Sequence, residues 1–139
     1  MQTTYINARV YTGAEILEQA HVTVENGRIT TVSTAAPPTH SGVIDLKGRA
    51  LAPALIDLQV YGGQGKLFNN EPTVETIRAT YETVRAGGAA YFQITLSCSP
   101  LETMWQAIDA CREYIQSGGQ GLLGLHLEGP YFNPEKRGA

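Results

Sequence analysis

The spacing of apolar positions changes character once along the chain. Up to about residue 52, apolar and polar residues alternate with the two-residue period of half-buried strands. "TTYINARVYTG" predicts one strand and "AHVTVENGRITTVST" a hairpin, with Val22, Val24, Ile29 and Val32 as its apolar positions. Asn26-Gly27 supplies the turn, because a two-residue hairpin loop needs positive φ at both positions. Pro37-Pro38 in "TAAPPTHSG" exclude regular structure, and "GVIDLKGRALAP" predicts two short strands about Lys47-Gly48. This stretch reads as a small antiparallel sheet with nothing catalytic in it.

From Pro53 onward the period becomes that of alternating strands and helices. "ALIDLQVYGG" is a nearly unbroken apolar run, as expected of a strand buried on both faces. Residues 73–88 carry Val74, Ile77, Tyr81 and Val84 at helical spacing, with Thr73 as N-cap and Gly87-Gly88 as the stop. "AYFQITLSC" predicts a second buried strand, residues 99–119 a second helix capped by Ser99, and "GLLGLHLEG" a third strand. Strand, helix, strand, helix, strand at this spacing implies βαβ crossovers and a parallel sheet. The fold class is therefore α/β: residues 1–52 form a β unit, and residues 53–139 form the first βαβαβ part of a doubly wound sheet or a (β/α)8 barrel. Neither is complete, since a full barrel takes about 250 residues.

Composition narrows the function classes. Apolar residues at 42% and charged residues at 17% describe a globular chain rather than a disordered one. The net charge of −3, with no basic run, argues against a nucleic-acid partner. No apolar run approaches the ~20 residues that span a bilayer, and "MQTTYINARVYTG" has no secretory pattern. Cys98 and Cys111 make neither a disulfide framework nor a metal motif, so both are expected to be reduced, buried thiols in a cytoplasmic protein.

In either α/β architecture, function gathers at the carboxyl ends of the parallel strands. "ITLSCSP" offers hydroxyls and a thiol without a base to activate them. "LHLEGP" is more informative. A carboxylate at a strand end is costly to bury unless it meets a cation or several donors, so Glu128 is either a metal ligand or one half of a structural ion pair or cap. His126 shares its face by strand alternation, and a lone strand histidine is usually structural. At the first strand end, Gln59 and Tyr61 share a face. Two histidines in those places would converge on one ion, but an amide and a phenol are poor ligands for zinc or iron.

The strand entering with Pro53 and Ile56-Asp57, and the segment "HLEGPYFNPEKRGA", together resemble the N-terminal part of the N-acetylglucosamine-6-phosphate deacetylases of the amidohydrolase superfamily, over essentially the whole chain. The resemblance implies part of a β-sandwich followed by the first strands and helices of a metal-dependent (β/α)8 (TIM) barrel. It implies one divalent metal ion, zinc or iron, with Glu128 as a ligand. Gln59 and Tyr61 fall on a degenerate second-metal position. Ala139, with Gly138, matches a stretch whose backbone contacts the sugar. Ala54 departs from the family's usual Pro-Gly pair. The catalytic Asp and two further His ligands are expected beyond residue 139. The implied partner is a small amino-sugar phosphate, and the implied full-length protein is a homodimer. On this reading "KRGA" is a cut edge, and residues 1–139 alone are inactive. The alternatives are another amidohydrolase acting on a cyclic amide or a different acylated amine, or a non-catalytic truncated module.

Overall fold

The computed structural model describes residues 1–39 and 42–136. Contacts divide the chain into two compact units, Met1–Pro53 and the residues from Ala54 on.

The first unit is a five-stranded mixed sheet. β1 (Gln2–Tyr11), β2 (Ile16–Glu25) and β3 (Arg28–Ser33) run antiparallel in sequence. The β2–β3 turn places Asn26 at φ 49° and Gly27 at φ 76°, the paired positive angles that "NG" favours. β4 (Val43–Asp45) and β5 (Ala50–Leu51) both pair with β1, and both run parallel to it. The sheet order β3-β2-β1-β4 explains the departure from the expected antiparallel unit. Short turns force reversal between β1 and β2 and between β2 and β3, whereas the longer connection from β3 to β4 leaves direction free. Ala8, Val10, Ala20 and Val22 form a small core, and the buried hydroxyls of Thr4 and Thr23 satisfy each other at 2.9 Å. Of the hairpin's apolar positions, Ile29 stays 67% exposed and Val32 is also exposed.

The second unit is a parallel sheet of order β10-β9-β6, built from β6 (Leu55–Val60), β9 (Ala89–Ser97) and β10 (Leu122–Glu128). The short strands β7 (Gly62–Gly63) and β8 (Lys66–Leu67) pair as a hairpin just after β6. α1 (Val74–Ala86) and α2 (Leu101–Gln116) link the long strands and pack against the sheet. Phe68, Ile77, Phe92, Ile94, Leu96 and Ala107 are the heart of the core between helices and sheet. Gly63 lies against α1 so closely that a Cβ there would stand 2.7 Å from the Ala79 carbonyl oxygen.

Two expectations fail here. β6 is not buried on both faces: Leu55, Ile56 and Leu58 are exposed, because β6 is an edge strand. The residue that caps α2 is Pro100, with no side-chain cap bond, rather than Ser99. The Ser99 hydroxyl is engaged elsewhere, donating to the Ser97 carbonyl at 2.7 Å. Thr73 does cap α1, its hydroxyl accepting from the Thr76 amide at 3.3 Å. No helix among the described residues is long and apolar enough to cross a membrane.

Candidate active-site edge at the strand ends

Because the three long strands are parallel, the ends of β6, β9 and β10 lie side by side. β10 pairs with β9 in the register His126↔Thr95 and Glu128↔Ser97. Glu128 therefore stands at the last rung, and its carboxylate is half-buried rather than fully enclosed. β6 brings Gln59 to the same end of the sheet, and Tyr61 follows directly after the strand. The backbone of Tyr61 is fixed from the far side of the β7–β8 hairpin, where the Phe68 amide donates to its carbonyl at 2.7 Å. Phe68 itself is fully buried and anchors that turn in the core.

These three side chains form a continuous relay. Gln59 Nε2 donates to Tyr61 Oη at 2.6 Å, and Tyr61 Oη donates to Glu128 Oε2 at 2.8 Å. The direction is fixed by chemistry: an amide nitrogen only donates, so the phenol accepts there and keeps its one hydrogen for the carboxylate. The bond to Glu128 is the main cause that raises the Tyr61 pKa above the ordinary phenol value, since ionising the phenol would set it against a carboxylate. Among the described residues the partner that meets the Glu128 carboxylate is thus a neutral donor, not a cation.

His126 is held by the backbone of β6 rather than by this relay. Its Nδ1 lies 3.1 Å from the Leu58 carbonyl oxygen and 3.5 Å from the Thr95 hydroxyl. A carbonyl oxygen only accepts, so Nδ1 carries the proton and the ring ties β10 back to β6 across β9. Sequence reasoning passed over Asn69. Its Oδ1 accepts from the Ser97 amide at 3.1 Å, while its Nδ2 donates to the Ser99 hydroxyl at 3.2 Å. Asn69 therefore latches the turn after β8 onto the end of β9, one strand from Glu128. No local signal marks it, because its partners are some thirty residues away in sequence.

The remaining candidates separate from this edge. Cys111 is buried and Cys98 is exposed, which corrects the expectation that both are buried. Gly138 and Ala139 lie outside the described residues. Among the described residues no group of three or more His, Cys, Asp or Glu converges to hold a metal ion. An open apolar concavity on the first unit's sheet, about 310 Å³ and lined by residues such as Tyr5, Val22, Val24 and Ile29, presents little polar chemistry.

No protein-family model matches the chain. It is 35% identical over 140 aligned residues to the N-acetylglucosamine-6-phosphate deacetylase of Haemophilus influenzae, covering 99% of this chain and 36% of that protein. It is 34% identical to the N-acetylgalactosamine-6-phosphate deacetylase of a Shewanella species, covering 94% of this chain and 34% of the relative. The crystal structure of the N-acetylglucosamine-6-phosphate deacetylase of Pasteurella multocida superimposes with a TM-score of 0.91 at 33% identity, over 99% of this chain and 37% of the other. The chain thus spans about a third of the length of the relatives it matches. The chain is therefore the counterpart of the N-terminal portion of the N-acetylglucosamine-6-phosphate deacetylases.

Proposed function

We propose that the full-length protein removes the acetyl group from N-acetylglucosamine 6-phosphate, giving glucosamine 6-phosphate and acetate, and that Glu128 is one ligand of a single divalent metal ion, zinc or iron. The observation that carries this reading is the half-buried Glu128 carboxylate, delivered to the carboxyl end of β10 and oriented by a neutral donor. An oxygen donor of this kind fits a divalent cation. The remaining ligands would come from the two thirds of the relatives' length that this chain does not span. When bound, such an ion lowers the pKa of its water toward neutrality and polarises the amide carbonyl.

On the same reading, residues 1–52 are part of a β-sandwich and residues 53–139 open a (β/α)8 barrel. Gln59 and Tyr61 occupy a degenerate second-metal position, the backbone at Ala139 contacts the sugar, and an Asp beyond residue 139 is the general acid and base that carries the proton to the departing amine. On this reading the full-length protein is also a cytoplasmic homodimer. A second substrate has a specific observation in its favour, because the Shewanella relative is named for the galactosamine sugar.

Release of free amine from both N-acetylhexosamine 6-phosphates by the full-length, metal-loaded protein tests this. We expect the glucosamine substrate to be preferred, Glu128→Gln to lose at least about a hundredfold in kcat/KM, and purified residues 1–139 to show no turnover above a metal-only blank. Failure to hydrolyse either sugar with zinc or ferrous iron would overturn the proposal.

A further inference from the structure

Glu128 and Tyr61 do not come from neighbouring strands. β9 lies between β6 and β10, so the two strand ends are about 10 Å apart at ordinary sheet spacing. The long phenol side chain of Tyr61 closes that gap over the end of β9 and reaches Oε2 of Glu128 at 2.8 Å. One bond holds the phenol itself and two hold the backbone around it. Gln59 Nε2 donates to the phenol oxygen at 2.6 Å, the Phe68 amide fixes the Tyr61 carbonyl, and Asp57 Oδ1 accepts from the Gln59 amide at 3.0 Å. With its acceptor capacity used by Gln59, the phenol has one hydrogen and one place to put it.

We propose that Tyr61, aimed by Gln59, is the positioning residue for the metal-ligating carboxylate: its O–H pins Oε2 of Glu128 and leaves Oε1 as the ligand atom. This inference rests on the reading of Glu128 as a metal ligand. A carboxylate free to rotate must be ordered when the ion binds, and one already pinned need not be, so the relay acts on metal affinity before any chemistry occurs. Gln59 and Tyr61, though poor ligands themselves, thereby serve the metal site through Glu128.

The test is zinc affinity of the full-length protein, measured by competition with a chromophoric chelator, with melting of the metal-free protein as the control for folding. Tyr61→Phe keeps the ring and removes the hydroxyl. It is expected to bind zinc roughly tenfold more weakly, the effect typical of losing a ligand's hydrogen-bond partner, with melting of the metal-free form unchanged. Gln59→Leu, which frees the phenol to turn, is expected to lose affinity by a smaller factor and stands in if Tyr61→Phe does not fold. Glu128→Gln separates the two readings. If it loses zinc while Tyr61→Phe and Gln59→Leu bind like wild type, the positioning role is overturned and the ligand assignment stands. If Glu128→Gln also binds like wild type, the ligand assignment itself is wrong and the positioning role falls with it.

Discussion

At the scale of single residues, environment decides what a side chain can do, and the two cysteines show it. Burial pushes the Cys111 thiol up to about 11, whereas Cys98 is exposed at the end of β9. Thiolate, not thiol, is the reactive form. At about pH 8 a water-soluble thiol reagent is therefore expected to label Cys98 in the native chain and Cys111 only after denaturation. Two rapid equivalents in the native state would contradict the burial of Cys111. Sequence placed both thiols in one class, because nothing local distinguishes a cysteine facing a helix–sheet core from one facing water. The same limit applies to Glu128. Its position at a strand end was legible, but its hydrogen-bond partner was not, since Tyr61 lies 67 residues earlier.

At the scale of elements, local chemistry was a good guide wherever it acts within a few residues. Thr73 caps α1 as its type and position indicated, and Asn26-Gly27 makes the β2–β3 turn. Replacing Thr73 by Ala should lower stability by about 1 kcal/mol in denaturant unfolding, because the Thr76 amide then loses its acceptor. No measurable change would mean that the cap is not formed in solution. Ser99 shows where the same reasoning breaks. Ser-Pro before an amphipathic run reads as a cap, yet the Ser99 hydroxyl is drawn to the Ser97 carbonyl and to Asn69. A long-range latch took the side chain that the local rule assigned to the helix.

At the scale of the molecule, the second unit covers one face of its parallel sheet with helices and leaves two edge strands, β6 and β10. Leu55, Ile56 and Leu58 on β6 and Leu123 and Leu127 on β10 are exposed. Unpaired parallel edges bearing leucines are templates for association. Residues 1–139 are accordingly expected to self-associate, and Leu58→Lys to shift light scattering toward smaller species. If the charge leaves association unchanged, some other surface drives it. The run "ALIDLQVYGG" is apolar enough for a doubly covered strand, and that is how its sequence reads. Only the strand order shows β6 at an edge of this sheet.

The sequence by itself determined the kinds and limits of most elements, the turn that makes the first hairpin, the cap of α1, and the delivery of Glu128 to a strand end. Each of these follows from periodicity or from φ preferences that operate over a few residues. Tertiary structure alone decided that β4 and β5 run parallel to β1, that β6 lies at an edge, and that Gln59, Tyr61 and Glu128 join into one relay across β9. Those outcomes depend on which strands become neighbours and on how far a side chain reaches between them. Packing of distant segments sets both, and no short stretch of sequence contains them.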